Sequence, residues 1–187
     1  MKTRISLAGV CFVALCGALA AAPDASIKVE ASRAMKMAVI DSDRKNPASE
    51  QVQQTFAESL GFELSQRCKA PVPVKPSTPD VQRAAWGLSN GVYDVVIVLG
   101  ASVPSALVSS DFRVLKAVPV SGDLKRALCM IIRVDDPGLA SMLEASFPEA
   151  LKGQFFQKAI ARYSGKAISE GDGGEWKIAG LGAGAPH

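Results

Sequence analysis

Histidine is nearly absent from this chain of 187 residues, and the single one, His187, stands at its end. Without an imidazole inside the folded part, a Ser/His/Asp or Cys/His apparatus has no general base, so nucleophilic catalysis of that kind is excluded. Metal ligation is short of donors for the same reason. Asp41 with Asp43, and Asp135 with Asp136, are close in sequence, but no further ligand stands at a recognisable spacing, and such pairs commonly cap helices or face water. Aromatic residues make up 6% of the chain and no basic stripe interleaves with them, which leaves nucleic-acid binding without an electrostatic footprint. The Gly171-Asp172-Gly173-Gly174 stretch lacks the Lys-Ser/Thr of a phosphate loop. The sequence therefore calls for no catalytic residue, no cofactor and no metal.

Long apolar runs are missing except for one. Met1-Lys2-Thr3-Arg4 is a short basic opening, Ile5 to Leu19 is uncharged and too short to span a bilayer comfortably, and Ala18-Leu19-Ala20 places small residues at a cleavage site. Residues 1–20 read as a secretory signal peptide, which implies a periplasmic or secreted protein that meets the membrane only in transit. Removing Lys2 and Arg4 from the 21 basic residues leaves 19 against 18 acidic ones, a near-neutral mature chain. Removing Cys11 and Cys16 leaves Cys68 and Cys129, for which a single disulfide and two buried free thiols are both open readings. About 165 residues suffice for one domain with its own core.

After a linker over 21–34, strand and helix signals alternate. Met37 to Ile40 is an apolar run closed by the polar turn Asp41 to Asn46. Pro47 opens a helix whose apolar positions Val52, Phe56 and Leu60 recur at helical spacing up to Gly61. Phe62 to Cys68 reads as a weak strand and the Pro-rich 70–76 stretch as extended chain. Ser77 or Thr78 can cap a second helix that Asn90-Gly91 stops, and the apolar run from Asp94 to Gly100 is the clearest buried strand. Two further strands are expected at 114–120 and 127–134. They precede a long helical stretch, Leu139 to Tyr163, that Pro148 breaks or kinks. The alternation predicts an α/β domain over 35–165, three layers with a mainly parallel sheet, followed by a flexible tail over 166–187 with a short strand at Trp176-Lys177-Ile178.

Open α/β sheets bind ligands beyond the carboxyl ends of their strands. This rule selects Asp41, Ser42, Asp43, Arg44 and Asn46 in the first loop, Ser77 and Thr78 in the second, and Ser102 in the third as candidate ligand-binding residues. Trp86 and Phe156 are candidate partner contacts. Phe155 continues the apolar stripe of its helix, and Phe156 points about 100° away from it.

The Asp41 to Asn46-Pro47 turn, the helix ending Leu60-Gly61, Asn90-Gly91-Val92-Tyr93-Asp94-Val95-Val96 and Asp136-Pro137-Gly138-Leu139 through Phe155 to Gly165 together resemble periplasmic solute-binding proteins of the two-lobed, amino-acid-binding type (family 3). The Asp41–Ser49 turn and Asp94-Val95-Val96 are similar to homologues associated with quinoprotein alcohol dehydrogenases. The resemblance implies one lobe of a type II binding protein, not an enzyme, with a small polar ligand or a periplasmic protein partner such as a quinoprotein dehydrogenase or a transport system. Two departures bear on this. About forty residues between Gly100 and Leu139 cannot hold a second α/β lobe, and the loop Ala101 to Leu107 lacks the arginine that clamps an α-carboxylate in the amino-acid binders. A lone lobe exposes the face a second would cover, which points to a homodimer or a protein partner, and the alternative role is an interaction domain without a small ligand.

Overall fold

Apart from Lys36, every residue of Met35–Ile40 is buried, as a strand covered on both faces requires. In the computed structural model, which describes residues 34–41, 46–165 and 175–181, this segment is β1. It is followed by α1 (Ser49–Cys68), β2 (Val74–Ser77), α2 (Val81–Ser89), β3 (Val95–Leu99), β4 (Phe112–Pro119), β5 (Leu128–Arg133), α3 (Pro137–Ala150), α4 (Gln154–Tyr163) and β6 (Trp176–Leu181). Short 3₁₀ turns lie at Ser105–Leu107 and Leu124–Arg126. The segment expected to be a signal peptide, most of the expected linker and the Ser42-Asp43-Arg44-Lys45 stretch fall outside the described residues.

The strands form one sheet in the order β2-β1-β3-β5-β4-β6. β1 pairs in parallel with β2 and β3, whereas the β3–β5, β5–β4 and β4–β6 pairings are antiparallel. The α/β class holds, but the sheet is mixed rather than mainly parallel. Parallel neighbours need a crossover of a dozen or more residues. A helix supplies one after β1 and another after β2, whereas β4 and β5 are joined by a short turn and must fold back on each other.

Each face of the sheet carries its own apolar cluster. Met37, Val39, Val95, Ile97, Leu128 and Met130 meet α1, α3 and α4 on one side. Ala38, Val96, Val98, Cys129 and Ile131 meet Ala84 and Leu88 of α2, with Leu107, on the other. β3, buried at all five positions, makes the run expected at Asp94 to Gly100 a core strand, with its ends at Val95 and Leu99.

Three local expectations are corrected. α1 runs through Gly61 to Cys68, so 62–68 is helix and not strand. Gly61 is a packing site: a Cβ there would lie 2.9 Å from the Val72 carbonyl oxygen, so the glycine lets β2's approach pass close to the helix. The helix ends instead at Lys69, which takes the left-handed conformation at φ 51°. α2 is capped by Asp80, whose side chain accepts from Arg83 N at 2.8 Å, and not by Ser77 or Thr78, which belong to the end of β2 and the segment after it. The third correction concerns the aromatic pair. Phe156 is fully buried, edge-on to Phe56 at a centroid distance of 5.2 Å, while Phe155 is 71% exposed.

Among the described residues, Cys68 and Cys129 are both free. Cys68 packs beside Met142 against the α1 side of the sheet, whereas Cys129 belongs to the α2 side, so the sheet separates them. Burial pushes the Cys129 thiol from 9.0 up to about 11, with Lys116 pulling in the opposite direction. A chain beginning at Ala21 is expected to react with a thiol reagent at pH 8 at one cysteine when folded and at two in guanidinium. The folded thiol keeps its proton where the unfolded one has lost it. Its contribution to stability is therefore complete below pH 9 and is lost between pH 9 and about 11, by up to about 3 kcal/mol. Urea titrations across that range check the slope.

The expected strand at Trp176-Lys177-Ile178 is present as part of β6, so the segment after Gly165 returns to the sheet and covers the edge of β4.

Candidate functional site

β1, β2 and β3 run in the same direction, and their carboxyl ends place Asp41, Ser77-Thr78 and Gly100 along one end of the sheet. Asp41 is buried at 4% exposure immediately after β1. Its carboxylate accepts from Ser49 Oγ at the start of α1 and from Tyr163 Oη at the end of α4, the latter at 2.7 Å. Gln53 donates to Ser49 Oγ at 3.1 Å, and Asn46 Nδ2 donates to the Tyr163 carbonyl at 2.9 Å, while Asn46 Oδ1 accepts from Ala48 N at 3.0 Å. A negative charge at the amino end of α1 also suits the helix dipole. The network joins one strand end to two helices, so Asp41 serves as a tether and its oxygens face protein donors.

Beside this tether lies a cleft of about 550 Å³ between the amino end of α1 and the carboxyl end of β2. Asn46, Ser77 and Thr78 line it together with Glu50, Gln53 and Gln54. Three of the residues chosen by the strand-end rule thus come together, and Asp41 supports their wall from behind. Ser102 is exposed in the loop after β3 and does not line the cleft. Ser42, Asp43 and Arg44 lie outside the described residues.

No protein-family model, curated protein or solved structure matches this chain. The site must be read from its own chemistry.

The cleft is polar, and the described residues lining it include one carboxylate, Glu50, and no cation. Amides and hydroxyls of this kind can hold a polar ligand through hydrogen bonds. Sequence reasoning missed Gln53 and Gln54 because they read as the solvated face of a helix, although their position about two turns beyond Asn46 was the available signal.

Of the partner contacts, Trp86 is 63% exposed on α2, as that role requires, whereas the burial of Phe156 removes it. Its neighbour Phe155 takes the exposed place. With Phe62, Phe155 lines a groove of about 410 Å³ between α1 and the α3–α4 junction, where Glu58, Glu63 and Glu149 outnumber Lys152. Lys152 is paired with Glu149 at 2.8 Å. Arg113, the nearest arginine along the chain after the loop following β3, is spent in an ion pair with Glu144. Among the described residues, no helix is long and apolar enough to cross a membrane.

Proposed function

We propose that this chain is an exported, non-enzymatic binding or accessory module resembling one lobe of a periplasmic solute-binding protein, and that its ligand is a small polar molecule held in the cleft between α1 and β2. The cleft itself carries this reading: it has the volume of a small-molecule site, lies at the strand ends where open α/β sheets bind, and brings Asn46, Ser77 and Thr78 together. Core clusters on both faces of the sheet support reading the domain as three layers. A quinoprotein dehydrogenase or a transport system would be the natural periplasmic partner under this reading.

The groove at Phe62 and Phe155 favours a second role, an interaction domain, because two exposed aromatic side chains beside a concave surface are a common form of protein contact. One experiment separates the two. Thermal unfolding of the mature domain is measured against sugars, polyols, amino acids and amines. Ligand stabilisation that Thr78→Tyr abolishes and Phe62→Ser with Phe155→Ser leaves intact supports the cleft. Absence of any stabilisation, with a co-purifying partner lost only in the Phe62→Ser, Phe155→Ser variant, rejects the cleft in favour of the groove.

A further inference from the structure

Arginine is almost never fully buried unless its charge is paired, because an isolated ion loses several kcal/mol of hydration even after the protein relaxes around it. Arg126 breaks this rule. It ends the 3₁₀ turn ahead of β5 and is only 5% exposed. Among the described residues no ion pair reaches it: Nη2 donates to Gln157 Oε1 at a long 3.3 Å, and the buried Nε donates to nothing. Gln157 is itself committed, since its amide nitrogen donates to the Leu151 carbonyl.

Nε and Nη2 form the edge of a guanidinium that takes an oxyanion in bidentate fashion; on that edge Nε is unused and Nη2 is held only by the long bond to Gln157. A second orphan donor lies nearby. Trp176 Nε1, at the start of β6, is buried without a partner. β4 relates the two positions: Ala117 pairs with Leu128 on one side and Ile178 on the other, and two residues further on Pro119 pairs with Trp176 while Arg126 stands two residues ahead of Leu128. Leu128 and Ile178, each two residues along from one of the orphans, are thus two strand spacings apart, on the order of 10 Å. α4 spans both, because Phe156 stacks against Trp176 and the adjacent Gln157 reaches Arg126. Both orphans are donors and one carries a full positive charge; an acceptor with negative charge is what satisfies them.

We propose that the donors of Arg126 and Trp176 form an oxyanion-binding site beneath α4, with Gln157 positioning the guanidinium, and that this site takes a small molecule bearing a carboxylate or phosphate group. It is separate from the cleft at Asn46 and Thr78.

The test uses the mature domain and two probes, inorganic phosphate and acetate, each at about 10 mM against sodium chloride of equal ionic strength. At least one anion is expected to raise the unfolding midpoint by about 3 °C or more, an increment absent in Arg126→Met and reduced in Arg126→Lys, which keeps the charge without the fork. The better probe distinguishes phosphate from carboxylate. In Trp86→Phe, where Trp176 is the one remaining tryptophan, the same anion is expected to change the indole emission in a saturable way. Arg126→Met should fold and match or exceed the wild type in chloride, since an uncompensated buried charge has been removed. Equal anion shifts in the wild type and Arg126→Met would show an adventitious ion only. No shift with either probe, or a loss of stability in Arg126→Met under chloride, would show a guanidinium serving the packing of α4; each of these results overturns the proposal.

Discussion

Phe156→Ala is expected to destabilise the domain by about 3–5 kcal/mol, whereas Phe155→Ala changes stability by no more than about 0.5 kcal/mol. The side chain of Phe156 fills the space among α1, α4 and β6, edge-on to Phe56 and tilted against Trp176 at a centroid distance of 6.1 Å. Truncating it removes a full aromatic burial, breaks two ring contacts and leaves a cavity lined by groups whose backbones are fixed by the sheet and by α1. Phe155, one residue earlier, is 71% exposed and gives up little apolar burial on truncation. For a domain of this size the Phe156 loss corresponds to about 10 °C in midpoint, read by calorimetry or circular dichroism. Equal effects at the two positions would contradict the packing.

Asp41→Ala is expected to cost about 3 kcal/mol or more. Its carboxylate satisfies the hydroxyls of Ser49 and Tyr163, and its removal from a site 4% exposed leaves both donors without that acceptor. Each buried polar group so abandoned costs about 1–3 kcal/mol. Ser49→Ala and Tyr163→Phe, which delete one donor each, are expected to cost less singly. Combined with Asp41→Ala they add little, because the interaction is already gone. Urea unfolding of the single and double variants measures this coupling. Strict additivity would mean that the three groups do not act together. An Asp41→Ala variant of unchanged stability that loses ligand binding would instead make Asp41 a ligand contact.

The two predictions also show how much the residues disclosed. The first half of the domain was legible because its signals are local: an apolar run for β1, helical spacing at Val52, Phe56 and Leu60, and a β-branched run for β3. The Phe155 and Phe156 assignments are inverted because the apolar stripe through Leu143, Ala150 and Leu151 extends to Phe155 only if the helical phase is kept across the whole stretch. The helix stops at Ala150 and a new one starts at Gln154, so the helical phase is reset and Phe156, Ala159 and Ile160 face inward. Pro148 was the suspected break, but it sits in the last turn of α3 and the interruption falls at 151–153. Within the site, Asn46, Ser77 and Thr78 followed from the strand-end rule alone. Arg126 did not, since its importance depends on the β4–β5 register and on the roof provided by α4, neither of which leaves a mark near residue 126 in the sequence.

β6 is the last described element of the chain, yet it lies beside β4, whose residues are made more than fifty positions earlier. A ribosome therefore releases β4 long before its outer neighbour exists, and during that interval the backbone groups of Phe112–Pro119 on that side have no strand to pair with. A polypeptide ending before Glu175 would keep that edge open permanently. It would also leave Phe156 without the indole that covers it. Such a product would have both a template for strand pairing and newly exposed apolar surface, the combination that sends nascent chains into aggregates.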